Sequence, residues 1–106
     1  MKRLIVMCAL ALVGCGREAG IAKLAGDATN GGVLFTNSCA TCHGADGKGT
    51  TSGVDLHEPA KNDSKEEIVS TILNGRPGTA MVAWENSFSD QQIADLYAYI
   101  KASFGQ

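Results

Sequence analysis

The sequence lacks three features that would place it in other large classes of protein. Its 106 residues carry 9 basic and 11 acidic side chains, so no broad positive field is available to attract nucleic acid. No apolar run approaches the roughly 20 residues that cross a bilayer, and no alternation of apolar and polar residues predicts a β-strand. These absences leave one small all-α domain without a nucleic-acid partner.

The N-terminus has the pattern of a bacterial signal peptide. Two basic residues precede an uncharged run over 4–13, and the run leads into the letters LVGC, which end at Cys15. This ending resembles the lipobox, in which the cysteine receives a diacylglyceryl group and becomes the mature N-terminus. We predict a signal peptide over 1–14, a lipid anchor on Cys15 and export to the periplasmic side of a membrane. Gly16 gives no acidic retention signal, which favours the outer membrane. An ordinary cleavage site with an incidental cysteine is the alternative.

A tether and then a short helix are predicted after the signal peptide. Residues 15–26 are rich in Gly and Ala and hold no cluster of large apolar side chains, which indicates a flexible tether. The folded domain then covers 27–106. Asp27, Thr29 and Asn30 are candidate N-caps for a helix that reaches about Asn37. Gly31 lies inside this helix at a cost of about 1 kcal/mol, which suggests that another element crosses closely there, although a frayed helix is the alternative.

Two further helices begin at capping boxes. Ser64 has Glu67 three residues on, and Ser89 has Gln92 at the same spacing; an amphipathic apolar pattern follows each pair. Gly75 ends the first of the two. Long Gly-rich loops connect the three helices, and so much loop in a small domain predicts a bound group that replaces part of the core.

The motif that carries the chemistry is the run CATCH at residues 39–43. The spacing C-x-x-C-H is typical of covalent haem attachment. Two residues between Cys39 and Cys42 let both sulfur atoms reach the two vinyl positions on one porphyrin edge. His43 then lies where its imidazole can bind the iron as the proximal ligand.

Two other chemistries use a C-x-x-C pair. A dithiol redox site belongs to a βαβ pattern, which this sequence does not show. A zinc site needs four ligands, and the usual nitrogen or sulfur donors of the mature chain are Cys39, Cys42, His43 and His57. Adjacent Cys42 and His43 would strain to share one tetrahedral ion, so both chemistries remain alternatives to haem.

The chain resembles the bacterial class I cytochromes c over nearly the whole predicted domain. The resemblance implies an all-α class I cytochrome c fold, with three or so short helices and long loops around one covalent haem c. In that family a glycine–aromatic contact joins the first and last helices, which implies that Gly31 and Phe35 meet Leu96 and Tyr99. The resembling segments are 31–35, 39–44, 53–56, 75–84 and 89–100.

The resemblance also implies the second iron ligand and the walls of the haem site. The family takes its distal ligand from a methionine in the loop before the last helix, and here that position is Met81. Packing filler is the alternative for a single core methionine, and His57 is the alternative ligand. Leu56, Ile68 and Trp84 are expected to wall the haem, and Arg76 or Trp84 to donate to a propionate. Ordinary packing or a solvated charge is the alternative for each.

Two family prolines are replaced in this chain. Valine stands at Val54, whose carbonyl is implied to accept a hydrogen bond from His43, and at Val82, directly after Met81. Proline stiffens a loop by fixing φ, so its absence predicts looser walls without the loss of a ligand.

His–Met ligation leaves no open iron position and implies a single-electron carrier rather than an enzyme. Its partners are redox proteins that act as donor and acceptor. The alternatives are a cytochrome subunit of a larger dehydrogenase or reductase and a haem that binds or senses a small molecule.

Overall fold

The computed structural model describes residues 16–51 and 53–106, and in these residues the regular secondary structure is helical, with long loops between the helices. This confirms the all-α fold class. The only β feature in those residues is an isolated bridge between Thr50 and Gly53. The predicted signal peptide and Cys15 lie outside the described residues. The helices are α1 (Ala28–Ser38), α2 (Ala40–His43), α3 (His57–Asn62), α4 (Lys65–Asn74) and α5 (Asp90–Phe104), with a further helical segment over 16–22.

The three predicted helices are α1, α4 and α5. Helices α4 and α5 begin at their predicted caps, and α1 begins at Asp27, one of its three candidate caps. The carboxylate of Asp27 accepts from the backbone N–H groups of Thr29 and Asn30 at the start of α1. Complete capping boxes open α4 at Ser64 and α5 at Ser89. These side chains satisfy backbone donors that have no partner within the helix, so local chemistry sets where the helices start. The short helices α2 and α3 were not predicted, and both lie in stretches without a periodic apolar pattern.

Helices α1 and α5 cross at Gly31, as predicted. A Cβ atom on Gly31 would lie 1.9 Å from the backbone oxygen of Asp95 and 2.9 Å from Cβ of Tyr99. Only glycine permits this approach, because any side chain would push the two backbones apart. The Phe35 ring packs beside the Tyr99 ring, with 5.3 Å between the ring centroids. The crossing holds the two longest helices together and places α1 against the core.

A buried carboxylate reinforces this crossing. Asp95 is 3% exposed, and its two oxygens accept from the backbone N–H of Asp27, the amide of Asn30 and the amide of Gln91 at 2.7–2.9 Å. Burial raises the pKa of Asp95, but the three hydrogen bonds together lower it by more. The pKa therefore lies below its ordinary value. The carboxylate therefore links the start of α1 to α5.

The described part of the predicted tether differs from the expectation. Residues 16–22 are helical, and Ile21 is fully buried in the hydrophobic core. Arg17 and Glu18 also make hydrogen bonds to distant parts of the chain. Burial of one isoleucine and pairing of polar side chains give this Gly- and Ala-rich segment a fixed position. Packing therefore begins before residue 27.

None of the helices within residues 16–51 and 53–106 combines the length and the apolar character that a membrane-spanning helix needs.

Candidate haem-binding cleft

One cleft gathers residues from all five helices and from the loops between them. Its volume is about 560 Å³, and much of its wall is apolar, with Phe35, Ile68, Ile72 and Ile100 among the contributors. All seven residues predicted to bind the cofactor line this cleft: Cys39, Cys42, His43, Leu56, Arg76, Met81 and Trp84. The tertiary structure therefore brings together side chains that are spread over 46 positions of the sequence.

The two cysteines lie on a single helical turn. Cys39 ends α1 and begins α2, and the carbonyl of Cys39 accepts from the backbone N–H of His43 at 3.0 Å. Burial, and then the neighbouring Cys42, raise the pKa of Cys39 to about 11. Dithiol redox sites rely on a lowered thiol pKa, so the environment of Cys39 argues against that alternative.

The His43 ring is held by a backbone carbonyl, as the resemblance implied. The Nδ1 atom of His43 lies 2.9 Å from the carbonyl oxygen of Val54. A carbonyl oxygen only accepts, so Nδ1 carries the proton and donates it, and Nε2 keeps its lone pair. This arrangement leaves one ring nitrogen able to bind a metal. It confirms that valine can replace the family's proline at this position, because the contact uses only the backbone.

A network of short hydrogen bonds shapes the loop that carries Met81. Gly75 ends α4 with φ +70°, a conformation that favours glycine. The Arg76 N–H then donates to the carbonyl of Met81 at 3.1 Å, while the Met81 N–H donates to the Thr79 hydroxyl at 3.1 Å. The first bond closes the loop between residues 76 and 81, and the second restrains it between residues 79 and 81. They restrain the position of Met81 even though Val82 lacks the stiffness of proline.

The loop after Met81 is also attached to α4. The Trp84 N–H donates to the carbonyl of Ile72 at 2.9 Å, and the next residue, Glu85, donates to Leu73 at 3.2 Å. The Trp84 ring stacks on the Phe88 ring, with 5.1 Å between centroids. The hydrogen bond to α4 and the stacking on Phe88 therefore hold Trp84 in position in the cleft wall.

Several lining residues were not predicted, although the sequence contains a signal for some of them. Ile72 lies one helical turn after Ile68, so the face that was expected to wall the haem extends along α4. Ile100 similarly follows Leu96 on α5. Acidic side chains at Asp55, Glu58 and Asp63 also reach the cleft, and no periodic pattern marks them in the sequence.

His57 does not line the cleft. Its Nδ1 atom lies 2.7 Å from a carboxylate oxygen of Asp55, and its ring packs edge-on against Phe104 at 5.2 Å between centroids. The backbone N–H of His57, and then its ring, hold the pKa of Asp55 below its ordinary value. These contacts occupy His57 away from the other candidate ligands.

The donor geometry does not favour a zinc site. Within residues 16–51 and 53–106, no group of three or more His, Cys, Asp and Glu side chains is placed to share a metal ion. A structural zinc site needs four such ligands. The cysteine pair and His43 therefore lack the partners that zinc would require.

The cleft fits a covalently attached haem in size and in chemistry. Sites for cofactors and small ligands usually measure about 300–1,000 Å³ and are mostly apolar with a few polar groups, and this cleft has both properties. Two thiols, one imidazole with a free lone pair and one thioether line it. These are the donors that haem c attachment and His–Met ligation require.

Comparisons with known proteins identify the same class. The family model for cytochrome c oxidase, cbb3-type, subunit III matches residues 26–100. Cytochrome c6 of Thermostichus vulcanus is 31% identical over 103 residues, which cover 93% of this chain and 89% of that protein. The cbb3-type cytochrome c oxidase subunit FixP of Azorhizobium caulinodans is 38% identical over 81 residues, but these cover only 26% of its length and 69% of this chain.

A solved structure supports the relationship. Cytochrome c6 from the diatom Phaeodactylum tricornutum superposes with a TM-score of 0.63 at 30% identity, covering 74% of this chain and 94% of that one. The matched part of this chain contains the cleft and its attachment motif. The chain therefore belongs to the class I monohaem cytochrome c family, whose members carry single electrons on one covalently attached haem c.

Proposed function

We propose that this chain carries single electrons on a haem c bonded to Cys39 and Cys42, with His43 and Met81 as the axial ligands. The observation that carries the proposal is the convergence of these four side chains on one apolar cleft. When bound, haem c supplies the one-electron iron couple. With both axial positions taken by the protein, no position is open for a substrate, which is why the proposal is a carrier and not an enzyme.

The surrounding residues tune and protect this site. The hydrogen bond from His43 Nδ1 to Val54 raises the basicity of the ligand nitrogen. The soft thioether of Met81 favours the ferrous state and raises the reduction potential. Leu56 and Trp84 keep water from the cleft, and Arg76 lies at its rim, where its guanidinium can pair with a propionate.

The test compares Met81→Ala with His57→Ala in protein matured with haem. Met81→Ala is expected to abolish the ferric charge-transfer band of sulfur ligation, to lower the midpoint potential and to open the iron to cyanide. His57→Ala is the matched control, because His57 lies outside the cleft, and all three properties are expected to persist. The reverse pattern would indicate bis-histidine ligation. A wild-type protein that binds carbon monoxide readily would instead support a sensing haem.

Covalent attachment has its own test. Thioether bonds at Cys39 and Cys42 keep haem on the polypeptide through denaturing electrophoresis, whereas coordination alone does not. We expect the wild-type band to stain for haem and the double variant Cys39→Ala/Cys42→Ala to lose the stain. Loss of haem from the wild-type band would refute the attachment.

We propose further that the protein is an exported lipoprotein, with the signal peptide over 1–14 removed and Cys15 lipidated on the periplasmic side of the outer membrane. The lipobox pattern before Cys15 supports this placement. A diacylglyceryl group anchors strongly, because each buried methylene contributes about 0.8 kcal/mol. Cys15→Ser is expected to release the protein from the membrane fraction, and fractionation of inner and outer membranes tests the final location. An unmodified Cys15 in the mass spectrum would refute the anchor.

A second candidate is a cytochrome that serves a terminal oxidase, either as a subunit or as a donor. The match to an oxidase subunit model over 26–100 favours it, although the chain spans about a quarter of the oxidase relative FixP. Purification from membranes in mild detergent distinguishes a subunit from a donor. A subunit copurifies with the oxidase at fixed stoichiometry, whereas a donor elutes alone and is oxidised by added oxidase.

A further inference from the structure

We propose that Arg17 is a positioning residue that braces the Trp84 wall of the cleft from the N-terminal segment. All three guanidinium nitrogens of Arg17 are used. Nε donates to the Asp90 carboxylate at 2.8 Å, and the other two donate to the backbone carbonyls of Glu85 at 2.7 Å and Phe88 at 3.2 Å. Its partners lie 68 to 73 residues away in the sequence, so the contact joins two distant parts of the fold.

The two carbonyls belong to the turn that supports Trp84. Within this turn, the N–H groups of Ser87 and Phe88 donate to the Trp84 carbonyl at 3.0 and 3.2 Å. The Phe88 ring stacks on Trp84, and Trp84 lines the cleft. Arg17 binds the carbonyls of Glu85 and Phe88, so its two hydrogen bonds add to those within the turn.

The brace is itself attached to the body of the domain. Ile21 is fully buried in the core, one helical turn after Arg17. Glu18 accepts from the amide of Asn74 at 2.8 Å at the end of α4. The carbonyl of Ala25 accepts from Gln91 at 2.9 Å on α5. Because the segment is fixed at several points, Arg17 can restrain the turn instead of merely moving with it.

The geometry requires an arginine. Its planar fork presents several N–H donors in fixed directions, whereas lysine has a single flexible ammonium group. A lysine at position 17 can still pair with Asp90, but it cannot serve both carbonyls and the carboxylate together. The carboxylate contact is a partly exposed ion pair, with Arg17 31% and Asp90 53% exposed, and such pairs contribute little. The hydrogen bonds to the turn therefore carry the positioning role.

The contact of Arg17 with the turn is expected to affect the loop that carries Met81. Met81 lies three residues before Trp84, on a loop whose far end is the braced turn. Loosening the turn is expected to let this loop open more often. This step rests on the proposed function, since it concerns the exchange of the Met81 ligand for an added one.

The experiment uses full-length protein matured with haem and two readouts. The first is hydrogen exchange of the Ser87 and Phe88 amides, with the core amides of α5 as an internal reference. The second is the rate at which cyanide binds the ferric protein. For Arg17→Gln we expect both to rise about tenfold, the factor that corresponds to the net loss of about one hydrogen bond to a charged group.

Three further variants separate the contacts. Arg17→Lys is expected to behave like Arg17→Gln. Asp90→Asn removes only the ion pair, and Lys23→Gln removes a neighbouring exposed cation; both are expected to stay within about twofold of wild type.

Several results would overturn the proposal. Unchanged exchange in Arg17→Gln would show that Arg17 does not restrain the turn. Equal acceleration of the α5 reference amides would show that Arg17 stabilises the whole domain and not the turn in particular. Full recovery in Arg17→Lys, or an equal effect in Asp90→Asn, would assign the role to the ion pair. Faster exchange without faster cyanide binding would break the link to the cleft. A wild-type protein without covalent haem would refute the proposed function, while the exchange data would still test the brace.

Discussion

The crossing of α1 and α5 is the contact in this fold that is most sensitive to one added carbon atom. In Gly31→Ala, the new Cβ would lie 1.9 Å from the backbone oxygen of Asp95, whereas ordinary van der Waals contact begins at 3.4 Å. The obstacle is backbone and not a flexible side chain, so the two helices must separate by about 1.5 Å at this point. Separation also weakens the hydrogen bonds that Asp95 accepts from Asp27 and Asn30.

The cost can be worked from these contacts. Overpacking of a tight interface costs about 1–3 kcal/mol, and weakening of hydrogen bonds to a buried carboxylate adds about 2 kcal/mol. Alanine regains about 1 kcal/mol through its better helix propensity. We therefore expect Gly31→Ala to lower the free energy of unfolding by about 2–4 kcal/mol, a large part of the 5–15 kcal/mol that is typical of a domain.

The assay is guanidinium denaturation of the haem-loaded protein, followed by far-UV circular dichroism. Gly20→Ala is the matched control, because Gly20 lies in the helical segment over 16–22 and a Cβ there meets nothing within 4 Å. This control is expected to leave the midpoint unchanged or to raise stability by up to about 1 kcal/mol. If Gly31→Ala unfolds at the same midpoint as wild type, the close approach of the two helices does not limit this fold, and the reasoning fails.

Three further predictions concern single side chains. Asp95→Asn is expected to cost about 2 kcal/mol at neutral pH through its weaker hydrogen bonds. Because the folded-state pKa of Asp95 is lowered, its contribution is complete above the unfolded-state value of 3.8 and is lost as the pH falls through the folded-state value; thermal unfolding from pH 6 to pH 2 should show this loss in wild type and not in the variant. Ser64→Ala removes a capping box and should cost about 1 kcal/mol in guanidinium denaturation, and a loss below about 0.5 kcal/mol, the smallest effect expected of such a change, would contradict that role. Val54→Pro should raise stability by about 0.4–1 kcal/mol and leave the His43 contact intact, since that contact uses the backbone carbonyl; a shifted proton resonance of His43 Nδ1 would contradict it.

Local chemistry explains why much of this fold could be predicted. The caps at Ser64 and Ser89 act on backbone groups three residues away, so the sequence alone determines where those helices begin. For α1 the sequence left three candidate caps, and the structure uses Asp27. The attachment motif is equally local, because its two thiols and imidazole lie on one helical turn. The crossing at Gly31 and the contact between His43 and Val54 followed from the resemblance to a family, and both are present.

Tertiary structure alone decided three other features, each of which depends on partners far away along the chain. Ile21 and Arg17 stand isolated in a Gly- and Ala-rich stretch, so no periodic pattern marks this segment. Ile21 is buried in the core, and the partners of Arg17 lie 68 to 73 residues further along the chain. Asp95 would ordinarily be solvated on its helix, and its burial requires donors from both α1 and α5. Met81 and His57 both have side chains that can bind haem iron. In the structure, His57 contacts Asp55 and Phe104 and lies outside the cleft. Hydrogen bonds between residues close in sequence can be predicted from the sequence itself, whereas burial depends on contacts between distant segments.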